Sequence, residues 1–134
     1  MTIQERIEDF LSEGPFAVVG ASTNREKYGN KVLRAYLQNH KEPLYAVHPS
    51  EESVEGVAAY PDLASLPEVP RAISIITPPA VTERVVAQAI EIGVRHIWMQ
   101  PGAESEEAVR LAEEAGIDVI AGGPCALVAL HYRE

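Results

Sequence analysis

Cysteine is almost missing from this chain: among 134 residues only Cys125 carries a thiol. A lone thiol cannot close an internal disulfide or anchor a cysteine-based zinc knuckle, so both are excluded. Positive charge is also short. Eleven Lys and Arg face twenty Asp and Glu, a formal net charge of -9, and such an acidic chain suits neither nucleic acid nor an anionic membrane surface. No apolar run is long enough to cross a bilayer, and Met1 to Pro15 is too acidic and too regularly spaced for a signal peptide. A cytoplasmic protein is expected. The four histidines, His40, His48, His96 and His131, show no metal-ligand spacing, so no metal site is expected. Neither a nucleophile-base pair nor two opposed carboxylates can be placed in one site, and no catalytic residue is assigned.

What is present is apolar patterning, 46% of the chain, enough for one compact domain over residues 1–134. Thr2 and Glu5 form a capping-box pattern ahead of Ile3, Ile7, Phe10 and Leu11, so residues 1–14 predict an amphipathic helix stopped by Gly14-Pro15. Residues 16–130 then alternate. Buried-strand runs at 16–20, 44–47, 72–77, 96–99 and 118–121 are separated by helical patterns at 30–40, 80–92 and 104–115. The segment from Pro49 to Pro70 reads as irregular, with a turn of helix near 61–66. This is an α/β pattern. It predicts a single doubly wound, mostly parallel five-stranded sheet in the order 3-2-1-4-5, closed by a helix over 124–132, with a ligand at the carboxyl ends of the strands. Trp98 reads as core or subunit interface, and Glu104, Glu106 and Glu107 as acids favoured at a helix start.

Local charge reverses after the first strand. Residues 21–41 hold Arg25, Lys27, Lys31, Arg34 and Lys41 against the single acid Glu26. Gly20-Ala21-Ser22 precedes a helix start, so backbone N–H groups and a helix N-terminus would face an anion there; a solvated helix face is the plainer explanation of the same residues. The Gly-x-Gly-x-x-Gly fingerprint of dinucleotide sites is absent. The second strand ends in Val47-His48-Pro49 with no acid directly after it to hold a ribose diol. A phosphorylated ribose suits such a site better, which points to NADP or coenzyme A (CoA).

The strand ends taken in order are Gly20-Ala21-Ser22, Val47-His48-Pro49, Thr77-Pro78-Pro79, Gln100-Pro101-Gly102 and Gly122-Gly123-Pro124-Cys125. From about Phe16 to Leu130 this series resembles the small stand-alone CoA-binding proteins and, more distantly, the CoA-binding domain of the succinyl-CoA synthetase alpha subunit. The resemblance implies a Rossmann-like fold with CoA or an acyl-CoA laid across the carboxyl edge of the sheet. It places Gly20, Ala21 and Ser22 at the phosphates with Arg25, Lys27 and Lys31 as charge partners. Val47, His48 and Pro49 would flank the adenosine, Ile76, Thr77, Pro78 and Pro79 the nucleotide or the start of the pantetheine arm, and Gln100, Pro101 and Gly102 the thiol end. The loop Thr23 to Gly29 departs from the proline-rich sequence of many relatives. The phosphorylated histidine of the synthetase lies in a following ligase domain and has no equivalent among these residues. The expectation is a CoA-binding module, monomeric or a small homo-oligomer. An NADP-dependent oxidoreductase and an accessory CoA-site component of an acyl-CoA synthetase are the alternatives. Cys125 reads first as a small packed residue, and otherwise as a thiol able to form a mixed disulfide with CoA.

Overall fold

The computed structural model describes all 134 residues. Helix α1 (Ile3–Ser12) opens with the expected capping box: the Thr2 hydroxyl accepts from the Glu5 N–H, and Glu5 returns the bond to the Thr2 N–H. The chain then runs β1 (Phe16–Val19), α2 (Tyr28–Gln38), β2 (Leu44–Val47), β3 (Ser53–Val54), β4 (Val57–Tyr60), a 3-10 turn at Leu63–Ser65, β5 (Ala72–Ile75) and α3 (Pro79–Ile92). It ends with β6 (His96–Met99), α4 (Glu106–Glu114), β7 (Asp118–Ile120) and α5 (Ala126–Ala129). No helix is long and apolar enough to cross a membrane.

The doubly wound α/β sheet is as expected in kind, but it has seven strands rather than five, in the order β3-β4-β2-β1-β5-β6-β7. Two strands come from the stretch expected to be irregular. Glu55 and Gly56 both adopt positive φ, 51° and 80°, the conformation a tight two-residue hairpin turn requires. They fold β3 antiparallel onto β4, while β4 runs parallel to β2. The expected order fails for the same reason. The place beside β2 is taken by β4, so Ala72–Ile75 pairs with β1 on its other side. The closing helix is also shorter than expected, four residues rather than the span 124–132.

Strand alternation gives the sheet a core on each face. From β1, Phe16 and Val18 join α1, α2 and α5 around Phe10, Leu33, Tyr36 and Trp98, while Ala17 and Val19 join α3 and α4 around Ile73, Ile75, Val86 and Ile97. Trp98 is core, in edge contact with Phe10 at 5.3 Å between ring centres.

The amino edge of the sheet is closed by paired charge. Arg71 donates to the carbonyls of Asp9, Phe10 and Glu13 and to Asp9 Oδ1. Buried His96 lies 3.9 Å from an Asp9 oxygen and 3.7 Å from an Asp118 oxygen. Burial, reinforced by Arg71, holds the imidazole below its ordinary 6.5 against the pull of the two aspartates.

Candidate functional site

Where the connections from β1 and β5 leave to opposite faces of the sheet, a crevice opens at the carboxyl edge, the position at which doubly wound sheets take ligands. Two helices aim their N-termini into it, α2 after β1 and α3 after β5. Neither has a capping side chain: the residues at the cap positions are Lys27 and Pro78, whereas α4 is capped by Ser105 and α1 by Thr2. The first N–H groups of α2, and the Ala80 N–H of α3, whose first residue Pro79 has none, therefore lack the side-chain acceptor that helix starts ordinarily receive, and an anion can supply it.

Two glycines let the chain approach this closely. Gly20 turns at φ 98° against the Ile76 backbone. At Gly29 a Cβ would lie 2.1 Å from the Gly20 carbonyl oxygen, so only glycine lets α2 start directly against the end of β1. Only Gly20 of the Gly-x-Gly-x-x-Gly fingerprint is present; Gly29, nine residues after it and four beyond the place of the third glycine in that pattern, supplies the close helix-strand contact.

The crevice has two compartments that share Gly20 and Thr77. A polar cavity of about 370 Å³ is walled by Gly20, Ala21, Ser22, Lys27, Tyr28, Gly29, His48, Ile76, Thr77 and Pro78. A more apolar one of about 260 Å³ continues past Val19, Val47, Pro49, Pro61, Leu63, Val81 and Val85 to Asp62 and Gln88. His48 accepts the N–H groups of Ser50 and Glu51 on Nδ1, which leaves Nε2 as its donor. The fold also supplies the carboxylate that does not follow β2 directly. Asp62, beyond β4, stands in the apolar wall with its two hydrogen bonds, from the Ser65 N–H and hydroxyl, both on Oδ1. The sequence pattern carries no sign of it, because the stretch from Pro49 to Pro70 reads as irregular chain.

The five cations of residues 21–41 separate into different roles. Arg34 is buried, donating to Asn30 Oδ1 at 2.7 Å and to the Arg25 carbonyl at 2.9 Å with its guanidinium over the Tyr132 ring. Asn30, fully buried, donates in turn to the Ser22 carbonyl and to Glu55. Lys41 holds the Leu11 carbonyl, and Lys31 pairs with Glu134 at 3.1 Å. Arg25 is exposed but pairs with Glu55 at 2.7 Å. Lys27 enters no ion pair and lines the polar cavity. Of the residues expected at a site, Gly20, Ala21, Ser22, Lys27, Val47, His48, Pro49, Ile76, Thr77 and Pro78 meet in the two compartments. Arg25, Lys31, Pro79, Gln100, Pro101 and Gly102 stand outside their walls. Gln100 is wholly buried beneath Tyr28, and Gly102 donates its N–H to Glu104.

A profile of the family described as the CoA binding domain matches residues 15–131. Over 136 aligned residues, 93% of this chain, the sequence is 26% identical to the alpha subunit of an ADP-forming acetate–CoA ligase II from Pyrococcus furiosus, and it spans 30% of that subunit's length. Among solved structures, a conserved hypothetical protein from Pyrococcus furiosus superposes with a TM-score of 0.79 at 38% identity, covering 85% of this chain and 97% of that one. A hypothetical protein from Pyrococcus horikoshii OT3 superposes at 0.86 and 28% identity, over 98% of this chain and 93% of that one.

Proposed function

The chain belongs to the CoA binding domain family, and from that premise we propose that it binds CoA or an acyl-CoA in the crevice between β1 and β5, as a cytoplasmic single-domain module over residues 1–134. The observation that carries the proposal is the uncapped start of α2 in the wall of a cavity whose ion-pair-free cation is Lys27, with Pro78 ahead of the uncapped α3 in the same wall. Phosphate oxygens there accept from the Ala21–Ser22 loop and the first N–H groups of α2, with Lys27 as counter-charge. The adenosine packs in the apolar compartment on Val47, Pro49 and Leu63, with Asp62 for a ribose hydroxyl. Arg25 joins once a phosphate draws it from Glu55.

The role proposed for this crevice is binding. A second reading, a CoA-site component working with a separate acyl-CoA synthetase subunit, is favoured by the likeness to one portion of the ligase alpha subunit. The stand-alone reading is favoured by relatives of nearly this length.

Thermal unfolding with CoA, dephospho-CoA, NAD and NADP at equal concentration tests the proposal, since a ligand of the folded state raises Tm by mass action. CoA is expected to raise Tm, dephospho-CoA less, and the nicotinamides not at all. A response to NADP with none to CoA overturns the proposal in favour of an oxidoreductase. Stability toward CoA that appears only with an added ligase subunit would favour the second reading.

A further inference from the structure

Beside the phosphate cavity lies a polar cluster that phosphate binding leaves without a task. Tyr28, a wall of that cavity, places its hydroxyl 2.7 Å from Cys125 Sγ and 3.1 Å from Gln100 Oε1. The cysteine's setting is rigid. Trp98 Nε1 donates to the Pro124 carbonyl at 3.0 Å, and the Ala126 N–H donates to Gln100 Oε1 at 2.8 Å. That second bond fixes which end of the Gln100 carboxamide is oxygen, because a flipped amide would set two donors against each other. Gln100 Nε2 is then left wholly buried without an acceptor. Cys125 itself is half-buried and follows exposed Gly122 and Gly123. The cluster thus offers a half-buried cysteine, a phenol beside it and an unused amide donor.

We infer that Cys125 is a thiol-disulfide exchange site at which CoA, delivered as its symmetrical disulfide, becomes covalently joined to the protein. The inference rests on the CoA-binding reading above. Cys125, as a thiolate, attacks one sulfur of CoA disulfide; the Cys125–CoA bond forms, the CoA–CoA bond breaks, and the second CoA leaves as a thiolate that takes up the proton Cys125 released. One disulfide replaces another, so no further oxidant is needed. CoA disulfide suits the site better than glutathione disulfide because its nucleotide and phosphates are held in the adjoining cavity, and Gln100 adds a donor for the arm. The pantetheine arm carries an amide carbonyl a short alkyl link from its sulfur, an acceptor for a donor that otherwise has none. Burial first, then the neighbouring sulfur, pushes the Tyr28 phenol well up, so it stays neutral; its one proton goes to Gln100 Oε1 while Cys125 is a thiol, and can turn to the sulfur when that becomes a thiolate.

The test treats the full chain with CoA disulfide or glutathione disulfide and follows intact mass with time. One dithiothreitol-reversible CoA adduct per chain is expected, formed roughly tenfold or more faster than the glutathione adduct because binding holds the reacting sulfurs together. Acetyl-CoA, which occupies the same site but has no disulfide, is expected to slow it. Tyr28→Phe is expected to lower the rate with CoA disulfide more than the rate with glutathione disulfide. Cys125→Ser removes the adduct; should that variant not fold, the wild-type adduct is still unambiguous, because the chain has no other cysteine. Equal rates for both disulfides, unaffected by acetyl-CoA, would mean merely an exposed thiol and overturn the inference. A Tm raised by CoA with no adduct overturns it while leaving the binding proposal standing.

Discussion

At the amino edge of the sheet Arg71 satisfies three carbonyls and a carboxylate, and His96 sits between two aspartates; at the carboxyl edge two helices start without caps and Gln100 keeps a buried donor idle. The same strands supply both edges, so the difference does not come from the sheet. One edge has its polar demand met by its own side chains. The other leaves that demand open where the chain crosses over in both directions, and unmet donors are what a phosphate-bearing ligand satisfies.

If the edges divide stability from binding, a change at one should spare the other. Arg71→Met is the strongest such change: it frees Asp9, Glu13 and three carbonyls and is expected to lower unfolding free energy by about 2–4 kcal/mol in chemical denaturation. The thermal response to CoA should survive in the folded fraction; its loss would show the edges are coupled. Lys27→Ala is the converse. It is expected to weaken CoA binding about five- to tenfold by calorimetry, the size of one partly exposed charge-assisted contact, with unfolding free energy changed by less than about 0.5 kcal/mol. The smallest effect is a slope. Because folding lowers the His96 pKa below 6.5, the unfolded chain binds more protons in acid. Stability is then full above that value and falls as pH drops through it. His96→Asn is expected to flatten the decline between pH 7 and 5, with Asp9, Asp118, Arg71 and Arg95 left to set what remains; an unchanged slope would assign the acid sensitivity to the carboxylates.

How legible this was in the sequence depended on whether a signal was local. The five long-recognised strands and four of the helices follow from apolar period and stop residues, and each is found within a few residues of its expected bounds. The hairpin at 53–60 carried a local signal too, Glu55-Gly56 between Val54 and Val57, but the surrounding prolines argued for irregular chain and the strand order went wrong with it. The cation cluster was visible as charge, while its division was not. Whether Arg34 lies inside under Tyr132 or Lys31 turns to Glu134 is decided by contacts across the chain. Tyr28 and Gly29 escape the sequence pattern on the same ground, each acquiring its place from a contact outside its own helix, and Asp62 escapes it with the strand β4 that brings it there.

The brace running from Arg34 through Asn30 to Ser22 and Glu55 bears on how fast, as well as how tightly, a ligand is held. A loop of this kind in many phosphate sites orders only on contact, which taxes affinity and slows association. Here the backbone of residues 22–30 is tied down from both ends in the folded chain before anything arrives, so its loss of freedom is incurred at folding and not at capture. What a phosphate must undo is one exposed ion pair, Arg25 with Glu55, and Glu55 sits at the tip of the β3–β4 hairpin. If a phosphate takes Arg25 from Glu55 as proposed, occupancy of the crevice would be communicated to the outermost strands of the sheet, where amide exchange at Ser53 and Val54 would report it.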